Sequence, residues 1–280
     1  MGGDNAPEAN LLGAYLASKE LDSNEKVVLI GDSKLANHWF LSNKINPSVF
    51  EFIHANEVIH MNEHATKALR KKPNNSISVG FQALKNKEID VFSSSGNSGA
   101  MLVGSMFSVG PVKGVIRPGI TSILPKENGG VGLILDVGVN ADCKPDVLFQ
   151  FAILGSLFAE NVYNIKNPKV GLLNIGEEKG KGNLLTQATY QLLEDNDDIN
   201  FIGNVEGRDL FNDKADVIVC DGFTGNVVLK LAESFYSLIS QKNIKDDYFD
   251  RFNYEIYGGT PVLGVDGNVL IGHGISNENA

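Results

Sequence analysis

Asp90-Val-Phe-Ser-Ser-Ser-Gly-Asn-Ser-Gly-Ala100, Val170-Gly-Leu-Leu-Asn-Ile-Gly-Glu-Glu-Lys-Gly-Lys-Gly-Asn183 and Asp216-Val-Ile-Val-Cys-Asp-Gly-Phe-Thr-Gly-Asn226 repeat one local grammar: an apolar strand, a loop of small and amide residues, then a helix start. Strand-like and helix-like runs alternate over most of the chain, which predicts an α/β fold of three layers, α/β/α, around a largely parallel sheet. Loops at the carboxyl ends of parallel strands converge, so the three segments predict a single crevice. Their chemistry points to an anion, and phosphate is the leading candidate. Glycine lets backbone N–H groups approach closely, Asn and Ser/Thr add neutral donors, and the following helix presents the positive end of its dipole.

Strands are expected near 27–31, 49–54, 89–94, 121–124, 132–137, 170–175, 199–204, 217–221 and 269–273, and helices near 9–20, 63–69, 76–87, 98–107, 145–163, 183–193 and 224–240. No repeat, low-complexity tract or linker interrupts this order. Residues 1–280 therefore read as one domain, with any second lobe an insertion within about 115–225. The opening Gly-rich turn has no strand before it and the closing loop has no helix after it, so both ends read as trimmed.

The 280 residues are 42% hydrophobic, enough for a sizeable core. Lys+Arg 24 against Asp+Glu 34 gives a net charge of -10, which opposes binding to nucleic acid. Cys143 and Cys220 lie far apart in contexts that suit neither a disulfide framework nor zinc, so a reducing cytoplasm is expected. No apolar run reaches the roughly 20 residues of a spanning helix. The apolar helix that begins at Pro145 reads as buried on several sides, for which a homodimer interface is one explanation.

Within the first loop Gly96, Asn97, Ser98 and Gly99 suit an oxyanion nest, although an ordinary strand-to-helix turn capped by Ser98 has the same composition. The loop lacks Walker A and GxGxxG spacing. In the second loop Lys179 or Lys181 could hold phosphate, with Glu177 or Glu178 orienting that lysine or exchanging a proton with the leaving group, and Gly182 and Asn183 at the helix entrance; Lys181 is favoured for its nearness to that helix. A solvated charged turn is the competing reading. The third loop offers Asp221, Thr224, Gly225 and Asn226, and a fourth, Asp136 to Pro145, offers Asp136, Asn140, Asp142 and Lys144. Capping and lysine pairing explain these acids better than a metal does. A cysteine nucleophile is disfavoured because no histidine is tied to either thiol, Cys143 being the more plausible reactive one.

Taken together, Met1-Gly-Gly-Asp-Asn-Ala-Pro7, Ser95-Gly-Asn-Ser-Gly-Ala100, Leu135-Asp-Val-Gly-Val-Asn-Ala-Asp-Cys-Lys-Pro145, Gly171-Leu-Leu-Asn-Ile-Gly-Glu-Glu178, Lys181-Gly-Asn183, Gly203-Asn-Val-Glu-Gly-Arg-Asp209, Cys220-Asp-Gly-Phe-Thr-Gly-Asn226, Tyr257-Gly-Gly259 and His273-Gly274 resemble the bacterial phosphate acyltransferase family. The resemblance covers nearly the whole chain. It implies attack of inorganic phosphate on the thioester of an acyl-acyl-carrier protein, giving acyl phosphate for phospholipid synthesis, without metal or organic cofactor. It also implies an isocitrate/isopropylmalate dehydrogenase-like fold, a homodimer, a cytoplasmic enzyme that can sit peripherally at the inner face of the membrane, and a membrane-bound glycerol-3-phosphate acyltransferase as partner. The chain departs from the family by lacking a first strand, a last helix and a longer helical stretch between about 240 and 254.

In that reaction Lys181 would neutralise phosphate, Asn174, Asn226 or Thr224 would donate to the oxyanion, Asp221 would orient a group at the strand end, and Asp4 and Asn5 of the opening turn would line the site. Lys67, Arg70, Lys71 and Lys72 form the densest basic patch and the candidate docking point for an acidic carrier, with a solvated helix end as the alternative. A phosphotransacetylase using acyl-coenzyme A has the same chemistry. A decarboxylating dehydrogenase would need an arginine cluster, whereas Arg70, Arg117, Arg208 and Arg251 are scattered. A non-catalytic membrane-surface scaffold would have no use for polar loops at one crevice.

Overall fold

The computed structural model describes residues 2–280 and is a mixed α/β protein whose strands pair mostly in parallel. It divides into two compact units, Met1–Val112 with Tyr254–Ala280, and Lys113–Asn253. The first contains helix α1 (Glu8–Ala17), strand β1 (Val28–Gly31), α2 (Ser33–Ser42), β2 (Glu51–His54), α3 (Ala65–Lys71), α4 (Ser76–Lys85), β3 (Val91–Ser94) and α5 (Ser98–Gly104). The second contains β4 (Gly119–Pro125), β5 (Val131–Leu135), α6 (Pro145–Tyr163), β6 (Val170–Leu173), α7 (Leu184–Glu194), β7 (Phe201–Val205), β8 (Val217–Val219), α8 (Gly222–Gln241) and α9 (Asp247–Asp250). Strands β9 (Thr260–Leu263) and β10 (Asn268–Ile271) return to the first unit.

In the first unit β1 pairs in parallel with β2, and β10 pairs in parallel with β3 and antiparallel with β9. Leu11, Ala36, Phe40 and Phe50 form one buried cluster, with the Phe40 and Phe50 rings stacked 4.7 Å apart. Helix α2 escapes the sequence pattern because only Ala36 and Phe40 turn fully inward, yet Asp32 caps it by accepting from the Lys34 and Leu35 amides. Strand β9 escapes it because Pro261, which has no N–H to give a ladder, sits inside it. The helix expected over 98–107 is α5 followed by a π-helical turn at Ser105–Val109.

In the second unit the order is β4-β5-β8-β6-β7; β4 is antiparallel to β5, and β5, β8, β6 and β7 all run parallel. The carboxyl ends of those four strands therefore lie along one edge. Helix α6 starts at Pro145 and ends on Asn164 in the left-handed conformation, and it packs on β5, β8 and α7. Gly155 permits this approach, since a Cβ there would stand 2.5 Å from Val217. Phe151, Ala152 and Ala159 are covered within the unit, while Leu157 and Val162 of the same helix remain exposed.

Opposite the carboxyl edge, the turn after β4 is closed by an ion pair. Lys126, 3% exposed, places Nζ 2.6 Å from Asp216 Oδ1 and 2.9 Å from Asp213 Oδ1, and Asp216 Oδ2 accepts from the Lys169 amide. Burial pushes the Lys126 ammonium towards neutrality, but hydrogen bonds to both aspartates outweigh it, leaving its pKa above the ordinary lysine value. Removing the cation strands the Asp216 carboxylate, so Lys126→Ala is expected to cost about 3 kcal/mol in urea unfolding; a loss below about 1 kcal/mol contradicts this placement.

Candidate active site

Four loops leave the carboxyl edge of the second unit. The loop after β5 is built on Asp136, whose side chain is fully buried: Oδ1 accepts from the Ile120 amide at 3.0 Å, and Oδ2 from the Asn140 amide at 2.7 Å and its Nδ2 at 2.9 Å. Burial raises the Asp136 pKa, and these donors oppose the rise. Asn140 spends its other Nδ2 hydrogen on the Pro118 carbonyl. The structure thus uses Asp136 and Asn140 to shape the loop, not to face a ligand. Lys144 is exposed at the entrance of α6.

The loop after β8 is stitched to the first by reciprocal backbone bonds, Gly138 N–H to the Gly222 carbonyl and Gly222 N–H to the Asn140 carbonyl. Helix α8 presses so closely on Asp136 that a Cβ on Gly225 would run into the Asp136 carbonyl. Asp221 caps α8, accepting from the Thr224 amide at 2.9 Å and the Thr224 hydroxyl at 2.8 Å. The Thr224 proton is thereby committed, which corrects its reading as an oxyanion donor. Asn226 differs: its carboxamide lies exposed beside Gly138 and makes no hydrogen bond among the described residues.

The loop after β6 is held from within. Asn174 gives one Nδ2 hydrogen to the Lys181 carbonyl and the other to Asn204 Oδ1, both at 3.1 Å, and accepts from the Ile175 amide. Asn204, 3% exposed on β7, gives Nδ2 to the Glu178 carbonyl at 3.0 Å. Asn174 is thus fully engaged, and the oxyanion role read for it gives way to shaping the loop. Gly182 has φ +92, and a Cβ there would collide with Thr186 Oγ1 and the Asn174 amide, so the position requires glycine. Asn183 caps α7 through the Thr186 amide at 2.9 Å.

The loop's charges do not pair as the sequence suggested. Lys179 is taken by Glu194, and Glu177 pairs with Lys214 at 2.6 Å and Arg208 at 3.5 Å rather than with either loop lysine. Hydrogen bonding to Lys214 holds the Glu177 carboxyl below its usual range. Lys181 is exposed and has no carboxylate partner among the described residues, and Glu178 has no cation partner among them. Asn204 and Lys214 were missed as candidates, although Asn204 lies in the quoted Gly203 to Asp209 motif.

The Ser93 to Ala100 loop belongs to the first unit. Asn97 is 6% exposed and donates Nδ2 to the carbonyls of His60, Met61 and Glu63, while its Oδ1 caps α5 at the Ala100 amide. This clasp leaves the Asn97 amide no hydrogen for phosphate. Gly96 is buried against Gly2, whereas Ser98 is exposed at the first turn of α5 and Gly99 is half-buried. In the opening turn the Asp4 amide donates to Gly274 and the Asn5 side chain to Ile275 and Ser276; residue 1 lies outside the described residues. Lys72 is drawn from the basic patch by Glu63 at 2.6 Å, leaving Lys67, Arg70 and Lys71 exposed.

Among the described residues no group of His, Cys, Asp or Glu is placed to hold a metal ion. The family described as "Fatty acid synthesis protein" matches residues 1–242. The phosphate acyltransferase of Dictyoglomus turgidum is 43% identical over 303 aligned positions, spanning 100% of this chain and 88% of that protein. That of Acetivibrio thermocellus is 45% identical, spanning 99% and 86%. The chain belongs to the phosphate acyltransferase family. This acyltransferase also shares its fold with the EutD phosphotransacetylase from Staphylococcus aureus (TM-score 0.65, 13% identity, 95% of this chain and 86% of that one). The branched-chain phosphotransacylase from Enterococcus faecalis gives a TM-score of 0.63 at 14% identity, covering 100% and 92%.

Neither thiol of the acyltransferase is built as a nucleophile. Cys220 is buried, and burial together with the nearby Asp136 and Asp221 carboxylates pushes the Cys143 thiol up to about 11. Relative to a thiol of pKa 9.0, its thiolate is about a hundredfold scarcer at pH 8. Alkylation of Cys143 by iodoacetamide at pH 8 is expected to be slower in the folded enzyme than after unfolding, and Cys143→Ser to keep most of its turnover. Rapid alkylation that abolishes activity overturns this.

Proposed function

We propose that the enzyme transfers an acyl group from acyl-acyl-carrier protein to inorganic phosphate. A phosphate oxygen attacks the thioester carbonyl, the carbon–sulfur bond breaks, and the products are acyl phosphate and the carrier thiol, which takes up the proton phosphate gives up. The observation that carries the reading is the exposed Lys181 ammonium, which has no carboxylate partner among the described residues, on a loop whose backbone is held by the Asn174 and Asn204 amides. Such a cation can hold a dianion without breaking an ion pair. The free carboxamide of Asn226, on the neighbouring loop of the same edge, is the donor for the developing oxyanion. Asp221, Asn174 and Asn183 act by fixing their loops.

The carrier-protein donor is supported by the exposed Lys67, Arg70 and Lys71 of α3, the last two in its final turn, a local cationic surface on a chain of net charge -10. In the same reading the fold is isocitrate/isopropylmalate dehydrogenase-like. The enzyme pairs with a second copy through the exposed apolar face of α8, where Phe223, Val227, Leu231, Phe235 and Leu238 recur every three or four residues at 49% to 67% exposure. Acyl phosphate is a reactive mixed anhydride, so a membrane-bound glycerol-3-phosphate acyltransferase, met at the inner face of the membrane, is the fitting consumer.

Phosphate-dependent thiol release should be seen with acyl-carrier protein and be much weaker with acyl-coenzyme A. Lys181→Ala should raise the KM for phosphate and lower kcat/KM about a hundredfold. Equal rates with coenzyme A thioesters would replace the donor, and an unaffected Lys181 variant would remove the lysine's role. Sedimentation at micromolar concentration should give twice the chain mass, reduced to the monomer in Leu231→Arg; a monomeric wild type contradicts the α8 interface.

A further inference from the structure

The Gly203-Asn-Val-Glu-Gly-Arg-Asp209 motif has no part in the chemistry proposed above, yet its charges converge on the lysine loop. Lys214 Nζ stands 2.6 Å from Glu177 Oε1 and 2.9 Å from Asp209 Oδ2. Arg208 lies 2.6 Å from Glu206 and 3.5 Å from Glu177. Asp209 is itself fixed: its Oδ2 accepts from the Glu206 amide at 3.0 Å and its Oδ1 from Asn212 at 3.1 Å. The anchor is therefore rigid on the β7 side and ionic on the β6 side. Glu177 precedes Lys181 by four residues, and the Lys181 amide donates to the Glu178 carbonyl, which Asn204 holds from β7. We propose that Lys214 is a positioning residue for the acyl-transfer site, bridging the Asp209 turn to Glu177 so that the Lys181 loop keeps one conformation.

This proposal rests on the reading of Lys181 as the phosphate-binding cation, but its mechanical part stands apart from it. Removing Lys214 leaves Glu177 only the longer contact to Arg208 and takes the cation from Asp209. Lys214 is 30% and Glu177 53% exposed at the side chain, which places their pair among the weaker ion pairs. A shift of about fivefold is the expected scale.

The experiment compares wild type with Lys214→Ala, Lys214→Arg, Glu177→Gln and the double variant Glu177→Gln/Lys214→Ala. Hydrogen exchange of residues 177–183 is followed beside steady-state kinetics with phosphate varied. The expected result is faster exchange in Lys214→Ala confined to 177–183, a KM for phosphate raised about fivefold with kcat little changed, recovery in Lys214→Arg, and a double variant no worse than the worse single one. Unchanged exchange in a folded Lys214→Ala variant overturns the brace. Additive losses in the double variant overturn the link through Glu177. Faster exchange with an unchanged KM overturns the positioning role; where Lys181→Ala also leaves KM unchanged, the phosphate reading fails with it.

Discussion

A hydrogen bond between two asparagines, Asn174 at the exit of β6 and Asn204 inside β7, is the constraint on which the lysine loop depends. Each amide also reaches a carbonyl of that loop, Lys181 from Asn174 and Glu178 from Asn204. Amides suit this work because one side chain both donates and accepts without carrying charge. Carboxylates in their place would compete with phosphate for the lysine. Adjacency of β6 and β7 in the parallel sheet fixes the spacing of the pair, so the loop's shape follows from the register of two strands.

The neighbouring loops follow the same logic with a buried acid in place of an amide. Asp136 takes three hydrogen bonds from the Ile120 amide and from Asn140, and through Asn140 its loop is tied to the start of α8. Glycines at 222 and 225 allow the helix to close on it. Within this frame the side chains of Lys181 and Asn226 have no hydrogen-bond partner among the described residues, while every buried side-chain polar atom of those residues is satisfied. Preorganisation of that kind is what acyl transfer needs, since donors that do not reorganise stabilise the developing charge at least cost.

The β-α order was legible in the sequence because strands buried on both faces read as continuous apolar runs, and Pro145 announced the start of α6. Strand β9 was not, because its pairing overrides the proline at 261, and α2 was not, because two inward residues make too thin a stripe. At the site the sequence supplied residue types but not their commitments. Asn97, Asn140, Asn174 and Asn226 look alike in the chain; three are spent on backbone carbonyls or neighbouring side chains, and only the fold distinguishes the fourth. Lys179 and Lys181 likewise differ through Glu194, fifteen positions from Lys179 and brought near by α7.

The most direct test of the frame is a calorimetric titration of inorganic phosphate into wild type and Asn204→Ala, with folding checked by circular dichroism. If the asparagine pair presents Lys181 to the dianion, the folded variant should bind phosphate about tenfold more weakly, a loss of the order of one or two hydrogen bonds. Equal phosphate affinity in a folded Asn204→Ala enzyme would contradict the account.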